Sequence, residues 1–309
     1  MNRIVVTGGC GFIGLNVIEF LLRKFPQQIT VLDNLSSSKK EPLAAFDVEF
    51  VEGDIRDKEL VKTLMKGTEA VIHLAAESGV VDSIERPDDN FDVNVKGTYN
   101  VLRAACTGGV ERFVFASTGG ALIGEAASGV NEAMAPRPLS PYGASKLAAE
   151  GYCSAFAGSY GMKTVSLRFS NVYGLYSYHK GSVVATFLKR LLKEEALTVY
   201  GDGEQTRDFV FAEDLCVAIE RAMHVEKGGE VYQLGTGIQT SVNALIGSMK
   251  PLVGLRHSVR INYERARPGE VRHNVSDISK ARRSLGYNPV VSLSEGLKRS
   301  WDWLSREKH

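Results

Sequence analysis

The sequence predicts an α/β fold: a doubly wound parallel sheet with a smaller, interleaved C-terminal lobe. Three observations predict it. Short β-branched runs alternate with helical patterns through residues 1–172, as successive βαβ units require. The first run, Arg3-Ile4-Val5-Val6-Thr7, enters Gly8-Gly9-Cys10-Gly11-Phe12-Ile13-Gly14, and a helical pattern follows at once. The second, Gln28-Ile29-Thr30-Val31-Leu32, ends in Asp33-Asn34. Strand, glycine loop, helix and an acid at the next strand end make the Rossmann-type arrangement that holds a dinucleotide.

The chain has 309 residues, enough for two domains or for one large domain with an appended lobe. Its apolar fraction of 44% and charged fraction of 24% are those of a soluble globular protein. A net charge of +1 gives no whole-chain attraction to nucleic acid or to an anionic membrane, and neither is expected as a partner. Cys10, Cys106, Cys153 and Cys216 are far apart and sit in apolar runs. They read as small hydrophobes in a reducing compartment. The N-terminus shows no charged leader before an apolar core, and no apolar stretch approaches the ~20 residues that span a bilayer. The expectation is a cytoplasmic protein.

In the glycine loop, Gly8 permits a tight turn, Gly11 lets backbone approach a pyrophosphate, and Gly14 lets the helix pack closely. The pyrophosphate would sit on free N–H groups at the helix N-terminus. Asp33 suits the hydroxyls of an adenosine ribose and would repel a 2′-phosphate, which favours NAD over NADP. Capping of the following turn is its competing role. A third strand, Val48–Val51, leads to Gly53-Asp54-Ile55-Arg56-Asp57. Asp57 reads as a helix N-cap, with Asp54 and Ile55 placed near an adenine. A fourth strand over Ala70–Ala76 ends in small residues, and Ala75 and Ala76 would let a cofactor pass close to the backbone. His73, inside that apolar run, reads as a core histidine.

Phe91 to Cys106 reads as one long helix from which Asn94 could reach back to the sheet. A fifth strand, Arg112–Ala116, runs into Ser117-Thr118-Gly119-Gly120, which sets hydroxyls beside a glycine pair at a strand end. The next helix, from Tyr142 to about Ser159, carries Tyr142 and Lys146 four residues apart, on one face. A nearby ammonium favours a phenolate, and an ordinary tyrosine pKa is about 10. The pair reads as a proton-transfer device for a hydroxyl, with a chance i,i+4 pairing of two common helix residues as its competing reading. A sixth strand spans Met162–Phe169.

Taken in order, these stretches resemble the extended short-chain dehydrogenase/reductase superfamily, and within it NAD-dependent nucleotide-sugar epimerases of the UDP-galactose 4-epimerase type. The matching pieces are Thr7–Gly14, Leu32–Asn34, Gly53–Asp57, His73–Glu77, Asn94–Thr98, Phe115–Thr118, Tyr142–Lys146, Leu167–Gly174, Leu197–Leu215 and Arg267–Glu270. The resemblance implies NAD held by Gly8, Gly11, Phe12, Ile13, Gly14, Asp33, Asn34, Asp54, Ile55, Leu74, Ala75, Ala76 and Asn94, with Tyr142 and Lys146. It implies Tyr142 as catalytic base and acid, Lys146 on the nicotinamide ribose, and Thr118 on the sugar hydroxyl being oxidised, with Ser117 as the neighbouring candidate. For a UDP-sugar substrate it implies Asn171, Arg207 and Arg267 at the diphosphate, Val199 against the base and Glu270 near the ribose. It also implies a homodimer, formed by the helices of Asn94–Cys106 and Tyr142–Ser159.

The chain departs from the pattern of the family it resembles in two places. Leu122-Ile123-Gly124 stands where a tyrosine is common. Gly119 and Gly120 stand where related 4,6-dehydratases carry an Asp-Glu pair, which counts against that elimination. The expected reaction is 4-epimerisation of a UDP-hexose or UDP-uronate through a 4-keto sugar. The alternatives are a dehydratase, reductase or decarboxylase of the same superfamily, or a non-catalytic NAD-binding sensor. Residues 173–309 are expected to form mainly the substrate-binding lobe, with returns to the NAD-binding part near 207–224 and 230–240. The loop 176–182 has an open role. The Leu293–Leu304 helix, with Trp301 and Trp303, is expected to dock on the core.

Overall fold

The computed structural model describes residues 3–24, 28–124, 129–254, 258–266 and 271–306. Its first six strands are β1 (Arg3–Thr7), β2 (Gln28–Asp33), β3 (Glu49–Glu52), β4 (Ala70–His73), β5 (Arg112–Thr118) and β6 (Lys163–Phe169). With Glu230–Leu234 they form a seven-stranded sheet in the order Glu230–Leu234, β6, β5, β4, β1, β2, β3. Every neighbouring pair is parallel. The chain winds outward from β1 to β3, then returns to β4 and winds the other way. The order therefore reverses between β1 and β4, where the strand ends leave a crevice for a ligand.

The strand pattern sorts side chains to the two faces with a period of two. Ile4, Val6, Ile29 and Val31 pack with Leu15, Ile18 and Leu21 of the Phe12–Lys24 helix. Val5, Leu32, Val71, Phe113 and Phe115 pack on the other face with Val101, Leu102, Ala149 and Phe156. Leu215 and Ile219 of the Ala212–Ala222 helix, and Tyr232 and Leu234, join the first of these cores. The chain beyond Tyr173 thus returns to the sheet.

A further cluster gathers Tyr173, Phe187, Leu188, Leu197, Val199, Leu245 and Ile246. The C-terminal helix, Leu293–Arg306, docks here and not on the sheet core: Leu297 and Leu304 are buried in this cluster, and Trp301 and Trp303 pack against it. The expected single helix over Phe91–Cys106 is also modified. The path runs through Pro87–Phe91, a π-helical turn at Asp92–Gly97, and Thr98–Thr107. A side chain at Gly97 would lie 2.6 Å from Ile55 Cδ1, so the glycine lets this turn rest directly on Ile55. Among the described residues no helix is long and apolar enough to cross a membrane.

Candidate active site

A cleft of ≈ 1530 Å³ opens at the strand ends around the β1/β4 reversal. Gly8, Gly11, Phe12, Ile13 and Gly14 form one wall. Gly8 has φ +70°, and a Cβ there would lie 2.6 Å from the Ala75 nitrogen. A Cβ on Gly14 would lie 2.5 Å from the Gly8 carbonyl oxygen. Backbone therefore packs on backbone at both positions. A Cβ on Gly11 would meet only the Gly8 oxygen, at 3.2 Å, so this position leaves room for a phosphate beside the helix N-terminus.

Asp33 ends β2 and lines the same cleft. Its carboxylate accepts from Cys10 N at 3.0 Å, Leu35 N at 2.9 Å and Ser38 Oγ at 2.9 Å. It caps the following turn and ties β2 to the glycine loop, and its oxygens retain capacity for further donors. Asn34 donates to Asp54 at 2.9 Å. Arg56, which sequence reasoning passed over, pairs with Asp54 at 2.7 Å and lines the cleft. Its guanidinium holds the Asp54 carboxyl down at about 2. Ile55 lines the cleft while packing into the core, and Asp57 caps the next helix by accepting from Glu59 N and Leu60 N, both at 3.1 Å.

β4 stops at His73, so Leu74, Ala75 and Ala76 lie beyond it in the cleft wall. His73 contacts Thr7 Oγ1 at 2.7 Å and Thr98 Oγ1 at 2.9 Å, and burial pushes its pKa down to about 3. It is a neutral core residue. Asn94 does reach back toward the sheet, but it stands behind the wall. Its side chain accepts from Glu77 N at 2.8 Å, and donates to Glu77 O at 2.9 Å and Ser145 Oγ at 3.1 Å. It braces the cleft; it is not among the residues that line it.

The helix Pro141–Tyr160 starts at Ser140, whose hydroxyl accepts from Gly143 N at 3.2 Å, and ends at Gly161 in the left-handed conformation. A Cβ on Gly143 would lie 2.1 Å from the Ala121 oxygen, so the first turn is wedged against the segment that follows β5. This brings Tyr142 and Lys146 into one cleft with Thr118, the last residue of β5. Ser117 is committed elsewhere. Its Oγ donates to Glu150 at 2.5 Å, and Glu150 is held by Arg168 at 2.8 Å in a buried ion pair. Thr118 therefore fits the substrate-facing hydroxyl.

The electrostatics differ from the expectation that Lys146 lowers the Tyr142 pKa. Burial pushes the Tyr142 phenol up to about 12 and the Lys146 ammonium down to about 8. Lys146 Nζ donates to the Ala116 carbonyl at 2.8 Å and lies 5.9 Å from the Tyr142 ring centroid. Desolvation outweighs the pairing at this separation.

Asn171, Val199 and Arg207 stand apart from the lining of this cleft. Asn171 begins a short strand whose next residue, Val172, reaches the lining. Arg207 donates to Thr206 O at 2.8 Å. Val199 is 1% exposed, because the alternation of Leu197–Tyr200 turns it into the lobe's apolar cluster; its side chain is not open to a base. Arg267 and Glu270 lie outside the described residues. The loop with the open role supplies Tyr176, Tyr178, His179, Lys180 and Gly181 to the cleft.

A glycine-loop helix at the reversal of a parallel sheet, facing a Tyr-x-x-x-Lys pair and a strand-end hydroxyl, defines an extended short-chain dehydrogenase/reductase. Residues 4–235 match the NAD dependent epimerase/dehydratase family, and the chain belongs to it. It is an enzyme, and its cofactor is NAD. The room left at Gly11 beside the helix N-terminus fits that cofactor's diphosphate, and the Asp33 carboxylate fits its adenosine ribose.

The fold is similar to that of the UDP-glucose 4-epimerase of Thermotoga maritima, solved with UDP-glucose, at 37% identity, a TM-score of 0.92 and coverage of 98% of this chain and 99% of that one. The UDP-glucose 4-epimerase of Thermus thermophilus, solved with NAD, superposes at 36% identity and a TM-score of 0.90, covering 99% of this chain and 100% of that one. The dTDP-D-glucose 4,6-dehydratase of Mus musculus is 32% identical over 322 residues, covering 100% of this chain and 90% of that protein.

Proposed function

We propose that this enzyme is a UDP-sugar 4-epimerase. The observation that carries the reading is the convergence of Thr118, Tyr142 and Lys146 at a cleft edge where Gly119 and Gly120 stand in the places of a dehydratase's acids. A Cβ on Gly119 would lie 2.4 Å from the Gln233 amide nitrogen, and one on Gly120 would lie 2.1 Å from that of Asn274. Two neutral amides stand beside these glycines, and with no carboxyl at either position elimination of water lacks its acid and base.

Gly8, Gly11, Phe12, Ile13 and Asp33 would hold NAD, with Lys146 at its nicotinamide ribose. When bound, NAD supplies a hydride acceptor that can return the hydride, so no net redox change is needed. Tyr142 would act as the phenolate, formed once bound cofactor brings its raised pKa down: it takes the proton of the sugar 4-hydroxyl as the carbon is oxidised, and as the phenol returns that proton after the 4-keto sugar has turned. Thr118 holds that oxygen in line with the phenol. The substrate is a UDP-hexose or UDP-uronate; a uronate calls for a cation or several donors at its carboxylate.

The test is product analysis. Purified protein is mixed with UDP-glucose, UDP-N-acetylglucosamine and UDP-glucuronate separately, and the products are resolved by NMR. A C4 epimer from one of them is expected. Three unchanged sugars, with NAD present, would remove the epimerase reading.

The same reading includes a homodimer. Tyr99 and Tyr152 are exposed on adjacent helices with ring centroids 5.2 Å apart, and exposed Tyr160 continues the strip through Phe156. An aromatic strip of this kind suits a second copy of the chain. Sedimentation of wild type and Tyr152→Glu should show a dimer turning to monomer.

A further inference from the structure

The loop between the strand Asn171–Tyr173 and the helix Val183–Leu192 is built to hold one lysine. It is fastened to the glycine-loop helix: Asn16 Nδ2 donates to Leu175 O at 2.9 Å, and the Tyr176 hydroxyl donates to Glu19 at 3.1 Å. Tyr176 takes φ +61°, and its ring packs on Trp303 with centroids 5.4 Å apart. Within the loop, Ser177 Oγ donates to Gly174 O at 2.7 Å and Lys180 N donates to Ser177 O at 2.9 Å. From the next helix, Lys189 Nζ donates to Tyr178 O at 2.8 Å. These contacts deliver Lys180 Nζ to a point 4.5 Å from the Phe12 ring centroid, 3.1 Å from the Val172 carbonyl oxygen to which it donates.

The Phe12 ring face and the Val172 carbonyl hold the ammonium there but do not neutralise its charge. Among the described residues no carboxylate pairs with Lys180. Phe12 is the first residue of a helix whose N-terminal end carries about half a positive charge, so a second positive group faces the same part of the cleft. Burial depresses the lysine pKa to about 8. One accepted hydrogen bond from the ammonium leaves two N–H donors for a ligand. An anion between the ammonium and the helix N-terminus would satisfy both positive groups.

We propose that Lys180 is a diphosphate contact of the NAD site, reaching from the substrate lobe to the phosphates seated on the glycine loop. The 175–181 loop then acts as a clasp, since one anchored segment touches the cofactor-binding helix, the C-terminal helix and the cofactor. The proposal rests on the NAD site and not on the epimerase reaction, so binding tests it apart from turnover. The other source of the same chemistry is the diphosphate of the nucleotide sugar. The cofactor's is favoured because Lys180 lies over Phe12 of the glycine loop.

The experiment is calorimetric titration of the full chain, as wild type, Lys180→Met and Lys180→Arg, with NAD, ADP-ribose, adenosine and UDP. Loss of a charge-assisted contact should weaken NAD and ADP-ribose by about 10–100-fold in Lys180→Met. Adenosine and UDP should bind as before, and Lys180→Arg should recover most of the loss. Weakened UDP with unchanged ADP-ribose would assign the lysine to the nucleotide sugar and overturn the proposal. Equal loss for adenosine and ADP-ribose would show a general disturbance of the site and overturn it too. A Lys180→Met chain that does not fold leaves the arginine variant to decide: ADP-ribose bound as in wild type supports the charge, and loss of it points to packing.

Discussion

Lys146 sets its ammonium 2.8 Å from the Ala116 carbonyl oxygen and 5.9 Å from the centroid of the Tyr142 ring. The lysine is thus anchored to the end of β5, and the phenol is half-buried in the cleft beside it, with desolvation pushing its pKa up to about 12. A cofactor-free Tyr142 is therefore a neutral donor at pH 7. Oxidised nicotinamide brings a positive charge, and filling the site should bring the phenol down. An ultraviolet difference titration of wild type against Tyr142→Phe measures this. The tyrosine should ionise near pH 12 without cofactor and at distinctly lower pH with NAD; ionisation near neutrality in cofactor-free protein would contradict the burial argument.

Replacing Tyr142 by Phe removes a proton carrier and leaves the cleft walls intact. Turnover should fall by ~10²–10⁴-fold, the range of general acid–base catalysis. NAD retained through purification should be unchanged. Lys146→Ala should reduce both turnover and NAD retention, since the proposed function gives this side chain a part in both.

At Gly8 the left-handed backbone and the 2.6 Å approach to Ala75 act together. Gly8→Ala should destabilise the fold by more than the ~1–2 kcal/mol of the conformational penalty alone. Urea denaturation should show the loss, accompanied by weaker NAD binding. A variant as stable as wild type would mean that the loop can move away from Ala75.

Glu150 and Arg168 are each 6% exposed at their side chains and pair at 2.8 Å. Glu150→Ala strands a buried guanidinium and should cost about 3–5 kcal/mol. Exchanging both partners for apolar residues of similar volume should recover much of that loss in the same denaturation assay. If the double variant is no better than the single one, the pair is not the source of the effect.

His73 supplies a pH dependence. Its folded pKa, about 3, lies below the ordinary 6.5, so as pH falls the unfolded chain takes the proton first. The stability contributed by neutral His73 is complete above about pH 6.5 and is lost toward pH 3, by about 1.4 kcal/mol per pH unit. His73→Gln should flatten the acid limb of stability against pH by that slope, measured by denaturation across the window.

The local signals of the fold were strong in the sequence. β-branched runs placed β1 and β2, the glycine spacing placed the loop, and Tyr142 and Lys146 followed from a helical period of four. Asp57 could be read as a cap because capping is decided within three residues. Such features depend on neighbours along the chain, and the chain itself displays them.

Other features depend on what folding brings from a distance. Asn94 became a brace because a π turn aimed it at Glu77 and Ser145. Val199 turned into the lobe cluster because its strand pairs with Ile261–Glu264. The C-terminal helix went to that cluster because its apolar face met Val184 and Phe187, more than a hundred residues away. Tyr142 and Lys146 were named by spacing, but their proton affinities were fixed by burial, a property of the packed molecule. The sequence by itself determined the glycine loop, the Tyr142/Lys146 pair and the family. The tertiary structure decided that the Ser117 hydroxyl is taken up by Glu150, which charges are desolvated, and that Lys180 lies over the Phe12–Lys24 helix, because solvent exclusion and long-range contact exist only once the chain has folded.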